Sequence, residues 1–204
     1  MSFNIEAFKA EGLMFNGARP TLFDVTIPNW PGALGGASQS LTLLAKAASL
    51  PQSSIQEVEV GYFGRKIKLV GDRVYPNWVI TVYNDEDFLI RNSLLNWHEQ
   101  MNSTVENLET PVGTQIAPSD YKKEIIVTQY SKGGMENQGM PIYKCKLFGA
   151  FPVNISPITL DYDATNQIEM FDVEFAYDYW RSNPLDSSST SNIIPAPPVG
   201  LVNV

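Results

Sequence analysis

Apolar and polar residues alternate along most of this chain. In QIEMFDVEFAYDYW, residues 167–180, one set of alternate positions holds Phe171, Val173, Phe175, Tyr177 and Tyr179, and the other holds Asp172, Glu174 and Asp178, with Ala176 between them. Side chains two apart on a strand share a face. The pattern therefore predicts a strand with one aromatic face on a core and one acidic face outside. The same alternation predicts strands over residues 22–27, ended before Pro28, and over SIQEVEVGYF, WVITVYN, KKEIIVTQYS and PIYKCKLFGAF. In GRKIKLVGDR, Gly64 and Gly71 bracket an apolar-basic run that predicts an extended arm or hairpin between turns.

Only one stretch carries a long helical period. Ile90, Leu94, Trp97 and Met101 recur at helical spacing after NDED, where Asn84 or Asp85 can cap and the acids suit a helix N-terminus. A shorter helix is predicted over residues 41–49, with Ser40 as N-cap and Pro51 beyond its end. Residues 103–120 are polar and broken by Pro and Gly, which predicts a long surface loop. Six or seven strands around one main helix give a mainly β (α+β) fold: an antiparallel β-sandwich or barrel with a packed α-helix.

The chain has 204 residues, 44% of them hydrophobic, enough for one packed domain. We expect that domain over residues 1–182, followed by a Ser- and Pro-rich tail over residues 183–204 that orders only against something else. No window approaches the roughly 20 apolar residues of a membrane span, and the first residues, MSFNIEAFKAEG, carry charges instead of an apolar leader core. The expectation is a chain without a membrane anchor that acts where it is made.

A formal charge of −8 argues against a surface that neutralises phosphates. It suits a surface along which a polyanion must pass without sticking. One cysteine, Cys145, and one histidine, His98, offer no Cys/His zinc set, and Cys145 lies in an alternating run where a small buried side chain is expected. Asp161, Asp163, Thr165 and Gln167 sit at alternate positions as in a calcium loop, but Asn166 stands where that loop needs Gly and Asp172 where it needs Glu. No nucleophile elbow, phosphate loop or dinucleotide fingerprint is present. The reading is of a chain with no cofactor, metal or catalytic set.

Two groups of charged residues remain as candidates. Asp172, Glu174 and Asp178 could line a channel or meet a partner, or could simply face water. Lys144 and Lys146 alternate on another strand, and pairing of the two strands would make that acidic row partly structural. Arg65, Lys66, Lys68 and Arg73 form the most basic window of an acidic chain, and we take them as inter-subunit contact candidates.

Long blocks of the sequence resemble a known family. GRKIKLVGDR, followed by YPNWVITVYNDEDFLIRNSLLNWHEQMN, together with FGAFPVNISPITLDYDATNQIEMFDVEFAYDYW and EGLMFNGARPTLFDVTIP, are similar to the tail tube proteins of contractile-tailed bacteriophages. The resemblance covers most of the chain up to Trp180. It implies a non-enzymatic virion subunit, assembled in the host cytoplasm, that forms six-membered rings stacked into a hollow tube for the genome. The implied partners are further copies of itself, the tail sheath, the baseplate and the tape-measure protein, with DNA passing through the bore without specific binding. Tubes of type VI secretion and phage-derived bacteriocins are the nearest alternative. A carbohydrate-binding or hydrolytic β-sandwich, with Trp30, Trp78, Trp97 and Trp180 as sugar platforms, is the alternative from another class.

Overall fold

The computed structural model describes Ile5 and residues 17–105, 117–132 and 138–184. Among the described residues the elements follow in the order β1 (Phe23–Thr26), α1 (Ala37–Leu44), β2 (Ala45–Ala48), β3 (Ser54–Tyr62), β4 (Arg65–Val74), β5 (Trp78–Tyr83), α2 (Leu89–Met101), α3 (Pro118–Tyr121), β6 (Lys123–Lys132), β7 (Gln138–Ile155), β8 (Met170–Ala176) and β9 (Tyr179–Pro184). The protein is mostly β, and every strand pairing among the described residues is antiparallel.

One sheet runs in the order β1-β6-β7-β8-β5-β2, with β9 also paired to β7. The long strand β7 joins its two halves. Residues Tyr143 to Phe148 of β7 pair with β9, and Phe151 to Ile155 pair with β8. Between them lies Gly149, at φ +68°, where the chain turns from one layer into the other. The layers share one core. Val25, Val127, Cys145 and Leu147 from one half and Ile80, Val82, Phe171, Val173 and Phe175 from the other are buried in a single cluster with Ile90, Leu94 and Trp97 of α2.

Alternation explains β8 and β5 directly. Phe171, Val173 and Phe175 are buried on one face, and they pair with Val82, Ile80 and Trp78 across the ladder. Trp97 of α2 fills the space above them, 6.3 Å from the Phe175 ring, and its indole Nε1–H donates to the Tyr121 carbonyl at 3.0 Å. The aromatic face expected to lie on a core therefore does so, with Phe175 against Trp97 of α2. A loop crosses the back of α2 at Gly32. A Cβ there would stand 2.7 Å from Asn96 Cβ, and φ is +67°, so only glycine fits this crossing.

Several elements differ from the pattern reading. The short helix begins at Ala37, is capped by Gly36 instead of Ser40, and stops at Leu44. Residues Ala45–Ala48, expected to be helical, form an edge strand on β5. Alanine's helix preference amounts to only tenths of a kcal/mol per residue, and an unfilled sheet edge outweighs it. Phe88 in a left-handed conformation, not Asn84 or Asp85, precedes α2, and its N–H donates to the Asp85 carbonyl. The single strand expected over residues 167–180 is two strands, β8 and β9, separated by Tyr177 and Asp178. The Asp178 N–H donates to the Phe148 carbonyl and turns the chain toward the first half of β7. Tyr179 consequently leaves the aromatic row and stacks on Phe148 at 4.9 Å. Within the expected loop 103–120, Pro118–Tyr121 is a short helix and residues 106–116 lie outside the described residues, as do residues 185–204 of the expected tail.

Candidate functional site

Strands β3 and β4 form a two-stranded sheet of their own. The sequence dictates its two faces. Glu59 opposes Lys68 and Gly61 opposes Lys66, so the acids and bases share one face; Val58 opposes Leu69 and Val60 opposes Ile67, so the β-branched and aliphatic residues share the other. On the charged face, Lys66 Nζ lies 2.6 Å from Glu59 Oε2 and Lys68 Nζ lies 2.7 Å from Glu57 Oε1. These pairs are solvated and contribute at most about 1 kcal/mol each.

The apolar face is open. Val58, Val60, Ile67 and Leu69 are each about half exposed, and at the tip Tyr62 is 64% and Phe63 90% exposed. The turn itself is costly. Phe63 and Gly64 both have positive φ, +45° and +76°, the signature of a tight hairpin turn that favours Asn-Gly or Gly-Gly. A bulky aromatic in that conformation is strained by about 1–3 kcal/mol. Arg65 closes the turn opposite Tyr62, and Arg73 lies at the base opposite Ile55. Among the basic candidates, then, Lys66 and Lys68 pair within their own hairpin, while Arg65 and Arg73 occupy its two ends.

The acidic candidates divide. Asp172 and Glu174 lie on the outer face of β8, where Asp172 Oδ1 accepts the Thr81 hydroxyl at 2.6 Å and Glu174 Oε1 accepts from Asn77 Nδ2 at 2.8 Å. Asp178 lies beyond the end of β8, with its carboxylate 2.8 Å from Lys122 Nζ. Lys144 and Lys146 pair with β6 and β9, away from β8, and Lys146 stands 3.8 Å from Glu124. Those lysines therefore do not neutralise Asp172 and Glu174.

Glu57 and Glu59 were not among the sequence candidates, nor were Tyr62 and Phe63. The matched order of Glu57, Glu59 and Lys66, Lys68 about the Phe63-Gly64 turn was the available signal. Of the four tryptophans, Trp30, Trp78 and Trp97 are buried, and the Trp180 indole donates to the Gln52 carbonyl. None of the three buried rings can serve as a sugar platform. Among the described residues no group of three or more His, Cys, Asp or Glu side chains is placed to hold a metal ion, and no helix is long and apolar enough to cross a membrane.

Comparison with known proteins places this architecture. The phage tail tube protein family matches residues 18–183. The chain belongs to that family. This tail tube protein is 33% identical over 167 residues to tail tube protein gp19 of Enterobacteria phage T4, which covers 80% of this chain and 91% of the relative. It is 25% identical over 152 residues to the baseplate tail-tube junction protein gp54 of the same phage, spanning 74% of this chain and 43% of that protein. Its fold resembles the anti-feeding prophage tube-terminating cap, with a TM-score of 0.57 at 15% identity over 82% of this chain and 91% of that one. It also resembles the sheath/tube terminator of an extracellular contractile injection system, with a TM-score of 0.56 at 13% identity over 82% and 96%. As a tail tube protein, the chain is a structural component of the virion tail.

Proposed function

We propose that this tail tube protein assembles into six-membered rings that stack inside a contractile tail as a hollow conduit for the genome. The observation that carries this reading is the β3–β4 hairpin, whose apolar face is turned to water along its whole length. A face of that size on a protein that acted alone would be an aggregation hazard. In a polymer of identical copies it is an interface.

The edges of the main sheet support the same reading. Strand β2 is a four-residue edge that carries an exposed Lys46, and the second half of β7 forms the far side of β8. Copies meeting edge to edge around a ring would continue the layer β7-β8-β5-β2 and shelter both edges. Asp172 and Glu174 lie on the outer face of that layer, and we assign that face to the bore. Carboxylates there repel a passing polyanion, whereas a basic lining would hold it by phosphate contacts. Asp178, paired with Lys122 at the layer junction, is assigned to that junction. Sheath and baseplate are the expected outer partners, since relatives and structural neighbours belong to a baseplate junction and to sheath-tube terminators.

Negative-stain electron microscopy of the purified chain across a concentration series tests this reading. Rings or hollow rods are expected. A discrete monomer at every concentration, including in the presence of preformed baseplate, would overturn it.

A further inference from the structure

Strands β1, β6, β7 and β9 meet at one end of their layer in a single cross-strand row: Phe23 lies opposite Gln129, Gln129 opposite Tyr143, and Tyr143 opposite Pro184. Both β6 and β9 run antiparallel to β7, so the chain leaves Pro184 in the direction in which β6 continues to Lys132. Strand β7 extends past that exit. Over Gln138 to Ile142 it pairs with β6 on one side and has no strand on the other among the described residues, and Met140 and Ile142 are exposed there.

A cleft of about 540 Å³ opens at the same end of the layer. Leu22, Phe23 and Tyr130 give it an apolar, aromatic wall, Arg19 and Lys132 stand exposed beside them, and no carboxylate lines it among the described residues. The wall is fixed in advance. The Tyr130 N–H donates to the Leu22 carbonyl at 2.8 Å, the Tyr130 hydroxyl donates to Asp24 Oδ2 at 2.6 Å, and Gln129 Nε2 donates to the Arg19 carbonyl at 3.1 Å. A cleft held open in this way loses little freedom when it is filled.

The sequence carries a segment of matching chemistry. The family match ends at residue 183, and after LDSSST the chain continues as SNIIPAPPVGLV, residues 191–202. That segment is uncharged and apolar, and Pro195, Pro197 and Pro198 remove three of its N–H donors while favouring an extended polyproline conformation with unpaired carbonyls. Aromatic-lined grooves recognise such segments. Arg and Lys side chains donate hydrogen bonds and accept none, so Arg19 and Lys132 suit a ligand rich in acceptors. Reach is ample: Leu185 to Ile193 can span roughly 30 Å, and β9 lies two strand spacings, roughly 10 Å, from β6. We propose that residues 191–202 seat in the cleft of Leu22, Phe23 and Tyr130 of the same copy, with Arg19 and Lys132 donating to their carbonyls. The chain beyond β9 passes along the open edge of β7 and straps the end of the layer, an addition that lies outside the part shared with the family.

The test is the rate of disulfide formation in the full chain carrying Thr21→Cys at the cleft and Val199→Cys in the segment, with native Cys145 left in its buried position. The reference is Ser119→Cys with Val199→Cys, since Ser119 is exposed and precedes the opposite end of β6. Under mild oxidation the cleft pair is expected to close at least about tenfold faster than the reference pair, because a seated segment raises the local concentration of its thiol. Mass spectrometry of the linked peptides reads both rates. An unchanged thermal midpoint verifies folding; Ala18→Cys replaces Thr21→Cys if the midpoint moves. Adding Arg19→Ala and Lys132→Ala to the cleft pair is expected to bring its rate down to the reference. Equal rates for the two pairs, or a cleft rate indifferent to the loss of Arg19 and Lys132, would overturn the proposal. So would fast linkage in a mixture of the two single variants, which would assign the seated segment to a neighbouring copy, or fast linkage of Thr21→Cys to Phe8→Cys with slow linkage to Val199→Cys, which would give the cleft to the N-terminal segment. Ring and tube formation by the wild type is independent of each of these outcomes.

Discussion

Gly149 and the Asp178 carboxylate occupy adjoining space at the junction of the two layers: a Cβ on Gly149 would stand 2.1 Å from Asp178 Oδ2. The chain at Gly149 has φ +68°, and the carboxylate is held by Lys122. Gly149→Ala is therefore expected to destabilise the protein by about 1–3 kcal/mol, through positive-φ strain and a displaced ion pair. Urea unfolding of wild type and variant gives the number. An unchanged midpoint would show that the junction tolerates a side chain.

Trp97 makes the second prediction. It is fully buried, contacts the rings of Trp30 and Phe175, and satisfies the Tyr121 carbonyl. Trp97→Ala should cost about 3–5 kcal/mol, combining lost burial with a cavity. Trp97→Phe retains much of the packing and should lose less. Thermal unfolding of the pair separates ring volume from the indole hydrogen bond.

Acid should weaken the fold through His98. Its Nε2 is buried without a hydrogen-bond partner, and burial lowers its pKa, against the smaller opposing effect of a hydrogen bond to the Pro152 carbonyl. The unfolded chain therefore takes up the proton first. The stability this group confers is complete above about pH 6.5 and is lost as pH falls through the folded-state value. His98→Gln should flatten the slope of stability against pH between 7.5 and 5, measured by urea titration at each pH; equal slopes in both proteins would remove His98 from the acid response.

Cys145 should be inert in the folded chain. It is fully buried, and burial pushes its thiol pKa up to about 11, so little thiolate exists near neutral pH. Iodoacetamide is expected to label it only after denaturation. Mass spectrometry of native and urea-treated protein reads this directly.

The hairpin ion pairs give a prediction of small size. Lys66→Glu and Lys68→Glu act on exposed pairs, so each should change the folding stability of the subunit by less than about 1 kcal/mol. If the charged face contacts a neighbouring ring, the same substitutions lower tube yield. Unchanged yield would assign that face to solvent.

Much of the architecture was legible because period-2 patterning is strong wherever one face is buried. Phe171, Val173 and Phe175 identified β8, and Ile90, Leu94 and Trp97 identified α2, without any tertiary information. The fate of Ala45–Ala48 was not legible, since four residues of weak local preference take whatever partner the sheet offers. The break at Tyr177 and Asp178 was hidden for another reason. Alternation continues through both residues, and only the Asp178 N–H bond to Phe148 reveals that the chain has changed layers. At the candidate site, charge was readable but pairing was not: Lys66 and Lys68 stood out in composition, while their neutralisation by Glu59 and Glu57 depends on hairpin register. Phe63, by contrast, resembled ordinary turn sequence until its backbone conformation was known.

Strand β7 gives the subunit a mechanical property. Its 18 residues run unbroken from one layer into the other, paired to β6 and β9 in the first and to β8 in the second. A pull applied at either layer is carried along one covalent backbone into the ladders of the other. The layers cannot slide apart or open like a hinge without shearing both sets of hydrogen bonds together, so the subunit resists traction as one stiff unit.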